Sequence, residues 1–336
     1  MHMADALLSP VVGGVMTAVS AGAIAYSARK MAKDEFEDKK IPMMGVMGAF
    51  VFAAQMINFT IPATGSSGHI GGGVLLAALL GPFSALITLA GVLLIQCLMF
   101  ADGGLLAYGS NVFNMGVCAC LLAYQLIYRP IVKRGMSKKN ITIGSILAVI
   151  LGLQVGAFCV VLQTTLSGIT ELPFGAFAAL MQPIHLAIGL VEGVITAAVL
   201  CFVYGVRPEL LAGAEPDAAK RKSMSMKKVI IIFSALTLVV GCGLALFASS
   251  YPDGLEWSME GVAGTSELER EDGLHGAAAD IVNATAAMPD YGFPGDEDGS
   301  PVGTATAGMV GSIFTLLLAG GAGLVIYAAR KKKVKA

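Results

Sequence analysis

Six stretches of this chain, near 9–28, 41–59, 142–165, 180–205, 229–248 and 308–328, are runs of predominantly apolar residues. Crossing a hydrocarbon layer of roughly 30 Å takes about 20 helical residues, and only helices or closed barrels satisfy every backbone polar group there. The composition agrees. With 56% hydrophobic and 13% charged residues over 336 positions, and a mean hydropathy of +0.76, the chain is too apolar for a soluble globular protein. It reads as an all-α polytopic membrane protein surrounded by lipid bilayer, and a nucleic-acid partner is not expected.

Charge along the chain orders the spans. Basic residues gather at 29–40, 129–139, 207–228 and 330–335, and the excess of Lys and Arg in cytoplasmic loops places all four clusters inside. For the first two to share a side, 41–128 must hold an even number of spans. Four fit: 41–59, a short one ending near Gly81, 83–100 and 105–128. Nine spans result, with the N-terminus outside and the C-terminus inside. Of the 22 Lys and Arg residues only Arg270 is then left outside.

On that outer face the chain begins Met1-His2-Met3-Ala4-Asp5-Ala6-Leu7-Leu8-Ser9-Pro10. Ser9 suits an N-cap and Pro10 a first helical position. No basic n-region or small-residue cleavage site marks a signal peptide. Trimming of an initiator Met normally needs a small second residue, so Met1 is expected to stay. Once deformylated, the Met1 amine, the deprotonated His2 backbone nitrogen and the His2 ring Nδ1 can close adjacent five- and six-membered chelate rings on one metal. Three nitrogens in a plane leave one position for another ligand, a geometry that suits Ni²⁺, Cu²⁺ or planar Co²⁺ better than tetrahedral Zn²⁺. Any protein can carry His in second place, so this reading needs context.

The loop after the second span supplies some. In Thr60–Gly73 the sequence Gly68-His69-Ile70-Gly71-Gly72-Gly73 flanks a histidine with glycines, which let backbone approach backbone and the ring swing inward. His69 is the candidate fourth ligand; the plainer reading is a loop histidine hydrogen-bonded at the membrane interface. The six cysteines all lie in apolar stretches without a C-x-x-C pair, and read as packing residues.

Composition changes after the seventh span. Residues 206–228 form a basic cytoplasmic linker, and 229–336 form a second module in which two spans bracket an external loop, 249–307. That loop holds twelve acidic residues against Arg270. The loop opens with Pro252-Asp253-Gly254-Leu255-Glu256, and its acidity would concentrate cations or merely keep it solvated. No internal repeat supports an inverted-repeat transporter.

Together, the His2 start, the Ser-Pro helix entry, the Gly-flanked His69 and the Pro-Asp-Gly-Leu-Glu segment make the chain resemble a known family. It is similar to the substrate-binding M component of energy-coupling-factor transporters for cobalt or nickel, the CbiM/NikM type, fused to an N-like module. The resemblance covers residues 1–205 as a seven-helix M component and about 225–330 as the N-like part. It implies that Met1, His2 and His69 bind transported Co²⁺ or Ni²⁺, with no resident cofactor, in a bacterial or archaeal cytoplasmic membrane. It also implies a membrane coupling (T) subunit and cytoplasmic ATPase (A) subunits, since no G-x-x-x-x-G-K-[ST] phosphate loop occurs here. The chain itself is therefore not expected to be an enzyme.

Asp5, standing where the family often has Asp-Gly, is expected either to orient a histidine ring or to cap near Ser9. His185 and Glu192 are seven apart on one face of the seventh helix. His185 would stand behind the metal ligands, and Glu192, deeper, would pair with Asn111, Asn114 or Gln154; a purely structural pair is the other reading. Small residues Gly45, Gly48, Ala49 and Ala53 would allow close helix contact. Two other functions remain open: a stand-alone ion-coupled metal transporter or channel, and a haem-binding redox subunit using His69 or His185. A metalloprotease is excluded by the lack of His-Glu-x-x-His.

Overall fold

The computed structural model describes residues 1–33, 40–213, 224–268, 270, 273–295 and 300–335. Part of the basic linker (214–223), acidic residues 269, 271–272 and 296–298, and the side chains of Lys332, Lys333 and Lys335 lie outside the described set. The first half holds seven helices: α1 (Pro10–Lys33), α2 (Lys40–Gln55), α3 (Gly73–Leu80), α4 (Pro82–Phe100), α5 (Tyr108–Lys133), α6 (Lys138–Ser167) and α7 (Phe174–Val206). The second half adds α8 (Met226–Phe247) and α11 (Pro301–Lys335), which bracket two shorter helices, α9 (Gly254–Ala263) and α10 (Gly273–Thr285). Ser9 takes the capping place expected of it, with Oγ accepting from Val12 N–H at 3.4 Å and its carbonyl from Gly13 N–H at 2.9 Å.

Among the described residues seven helices are long and apolar enough to cross a membrane, and the other two of the nine expected spans are shorter helices. The two that fall short are α2, with 16 residues, and α3, with eight, about 12 Å long at 1.5 Å per residue. The physical reason is the loop between them. A two-stranded hairpin, β1 (Phe59–Ile61) against β2 (Ser66–Gly68), turns the chain back so that Gln55 Nε2 donates to the Gly71 carbonyl at 2.9 Å. Non-helical backbone is tolerated in a membrane protein where protein encloses it, and here Ser66 and Ser67 are fully buried.

α6 packs along α7, and α11 packs along α2. The small-residue face of α2 is thus taken up inside the chain. A Cβ added at Gly45 would come within 2.9 Å of the Leu316 carbonyl oxygen, and one at Gly48 within 3.4 Å of Ala319. Outward faces carry exposed Val15, Leu126, Leu147, Leu190, Ile231 and Leu317, as lipid-facing helices do.

Candidate metal centre

Chain termini are normally exposed, but this N-terminus is inserted into the protein. Met1 is 5% exposed, and Met3, Leu7 and Leu8 are fully buried. Asn111 of α5 holds Met3 by both amide atoms, accepting from Met3 N–H at 2.7 Å and donating to its carbonyl at 3.1 Å. Gly104 N–H donates to the same carbonyl at 3.0 Å. Asp5 Oδ1 accepts the Ala107 N–H at 2.8 Å. A Cβ at Gly104 would lie 1.8 Å from that carboxylate oxygen, so only glycine allows this approach. From the second module, buried His275 donates Nε2–H to the Leu8 carbonyl at 2.8 Å.

This insertion brings Met1, His2 and His69 together. The Met1 amine lies 3.3 Å from His69 Nε2, and the His2 and His69 rings stack with centroids 5.1 Å apart at 14°. His69 Nδ1–H donates to the Ile70 carbonyl at 3.2 Å, which fixes the tautomer and leaves the Nε2 lone pair toward the amine. Burial, aided by the neighbouring Met1 ammonium, lowers both ring pKa values to about 3. Both rings are therefore neutral at neutral pH, the form that ligates metal. Among the described residues no three His, Cys, Asp or Glu side chains form a metal cluster; the donors here include the amine and the main chain.

Two carboxylates border the nitrogens. Asp102, between α4 and α5, puts Oδ1 3.2 Å from His2 Nδ1, while the buried His2 Nε2 has no partner. Tyr291 of the second module donates its hydroxyl to Asp102 Oδ2 and accepts from Gln96 Nε2 at 3.3 Å. Burial raises the Asp102 pKa. Asp253 Oδ2 contacts the Met1 amine and lies 4.0 Å from His69 Nε2. Burial pushes the Asp253 pKa up, but the Met1 ammonium and His69 pull harder, leaving it well below the usual carboxylate range. A cavity of about 590 Å³ spans both modules; its walls include His2, His69, Asp102, Asp253, Glu256, Glu267 and Asp290, and, among the described residues, no Lys or Arg.

Asp5 and Glu192 meet partners other than those expected. Asp5 binds the backbone at Ala107, and the carboxylate at His2 is Asp102. Buried His185 donates Nδ1–H to the Met181 carbonyl one turn back at 2.8 Å. Glu192 Oε1 accepts the Gly72 N–H at 2.9 Å, whereas Asn111 binds Met3, Asn114 pairs with Gln163, and Gln154 donates to the Gln182 carbonyl. Glu192 thus ties down the loop that carries His69. With Met1, His69, His185 and Asp253 it lines a small cavity of about 30 Å³.

Residues 2–210 match the family model for the cobalt uptake substrate-specific transmembrane region, CbiM, and residues 227–328 match the PDGLE domain. The chain belongs to the CbiM family. It is 31% identical to an Archaeoglobus fulgidus protein named "putative fused nickel transport protein NikMN", over 95% of this chain and 96% of that one. The fused nickel transport protein NikMN of Rhodobacter capsulatus is 28% identical over the same shares of the two chains. A crystal structure of a truncated transition metal transporter aligns with a TM-score of 0.54 and 31% identity, covering 61% of this chain and 99% of that one. In this chain the CbiM region supplies His2, His69 and Asp102, and the PDGLE domain supplies Asp253 and Tyr291. The last three carry a sequence signal only in part: Asp102 and Asp253 each precede a glycine where the backbone turns.

Proposed function

We propose that this chain is the substrate-binding component of an energy-coupling-factor importer for Ni²⁺ or Co²⁺, capturing the ion at the outer face with Met1 as its mature N-terminus. The observation that carries the reading is the buried Met1 amine beside His69, with the neutral His2 ring stacked on it. An ion drawn into the acidic cavity meets the amine, the His2 amide nitrogen, His2 Nδ1 and His69 Nε2. For the chelate to close, Nδ1 exchanges Asp102 for the ion as the ring proton shifts from Nδ1 to the unpartnered Nε2, and the amine and the His2 amide each release one proton. Two protons leave as one divalent ion enters. The nitrogen cluster keeps a net single positive charge throughout.

Tight planar nitrogen ligation favours late first-row ions, in keeping with the nickel and cobalt named for the relatives. Copper would be excluded by availability rather than affinity. Energy for inward release would come from a coupling subunit and ATPases, with the lipid bilayer as the surrounding phase.

The test is titration calorimetry of Ni²⁺ and Co²⁺ on the purified, verified-deformylated protein beside a variant with one Ala inserted between Met1 and His2. Near one-to-one binding in the parent and its collapse in the variant support the chelate, and the ion preferred is the substrate. Equal binding in both would sink it.

A further inference from the structure

Asp253 belongs to the second module, yet its carboxylate lies beside the edge joining two of the four proposed donor nitrogens, in contact with the Met1 amine and 4.0 Å from His69 Nε2. It is held there rigidly. Oδ1 caps α9, accepting from Leu255 N–H at 2.7 Å and Glu256 N–H at 3.0 Å, while Glu256 Oε2 accepts the Asp253 N–H at 2.9 Å. This capping box leaves Oδ2 to face the amine. The preceding Pro252 carbonyl accepts from Ser67 N–H at 2.8 Å, which anchors the segment to the His69 hairpin. At Gly254 a Cβ would come within 2.9 Å of Ile188 Cδ1 and 3.0 Å of His185 Cε1, so the glycine lets the carboxylate reach this depth.

We propose that Asp253 is a binding residue of the metal centre, the fixed countercharge that the PDGLE domain supplies to a buried nitrogen chelate. The proposal rests on the N-terminal chelate above. A divalent ion held through one deprotonated amide leaves a net single positive charge. The side chains around it are largely withdrawn from water, with exposures of 4% for Met1, 8% for His2, 9% for His69 and 14% for Asp253. An unpaired charge in such a place is strongly disfavoured, and one carboxylate in contact cancels it. Asp102 is less suited, because Tyr291 already donates to it. The PDGLE domain is thus part of the binding site.

The experiment measures Ni²⁺ affinity by calorimetry for the full chain, Asp253→Asn, Asp253→Ser, Glu260→Gln and the Ala-insertion variant. Asn and Ser cap a helix about as well as Asp, and Glu260 is exposed on α9 away from the cavity wall, so α9 is kept in all. Both Asp253 variants should bind roughly 10- to 100-fold more weakly, the range for groups supporting metal ligands, with Glu260→Gln close to the parent. The inference is overturned if either Asp253 variant binds as the parent does or more tightly, or if Glu260→Gln loses as much. Retained binding in the insertion variant removes the chelate itself. Loss there, with parent-like Asp253 variants, removes only the role of Asp253.

Discussion

At the scale of single residues, the site's neutrality sets its response to pH. His2 and His69 titrate near 3 in the folded protein against an ordinary 6.5, so between those values the folded chain binds fewer protons than the unfolded one. Their contribution to stability is fully present above about pH 6.5 and is lost as pH falls toward 3. Melting temperature in detergent should therefore drop progressively on acidification below about 6.5, with a shallower slope in His69→Asn; an unchanged slope would remove His69 as its source. That Met1, His2 and His69 would be candidates for one site was legible in sequence, because the first two residues have chelating main-chain chemistry whatever the fold and glycines flagged the third; the structure brings the three together. Asp5 and Glu192 were assigned the wrong partners for a common reason. Each binds a backbone N–H, at Ala107 and Gly72, and a backbone donor has no residue type to be seen in a sequence. Asp102 and Asp253 were not assigned to the site, since their roles depend on a tertiary approach across about 100 and 250 positions.

At the scale of elements, the N-terminal segment works as a plug seated by the Asp102-Gly103-Gly104 turn. Gly104→Ala should dislodge it, because the new methyl would overlap the Asp5 carboxylate. The expected result is loss of Ni²⁺ binding by calorimetry with helical circular dichroism kept; parent-like binding would show that the turn does not seat the segment. Helix existence was readable from apolar runs. The shortness of α2 was not, since 41–59 is predominantly apolar and nothing in hydropathy reports that the chain leaves the helix at Gln55 to build a hairpin. Likewise the small residues of α2 announce a close neighbour without naming it, and the neighbour is α11.

At the scale of the whole molecule, two modules enclose one acidic cavity. Its carboxylates and missing cations should speed the arrival of divalent ions, an effect screened by salt. Stopped-flow association of Ni²⁺ should slow several-fold between low salt and about 0.5 M, and Glu267→Gln with Asp290→Asn should slow it at low salt while leaving dissociation unchanged. A salt-independent rate would mean that the field does no steering. The join between the hairpin and the Pro252 segment is made of hydrogen bonds at Ser66 and Ser67, with Trp257 Nε1 donating to the Thr64 carbonyl and Thr60 to Ser249 beside them. Between separate proteins such a join would be short-lived and diluted away. On one chain the partner remains tethered at an effective concentration of order millimolar, so every copy carries its own Asp253 to the site, however few copies the membrane holds.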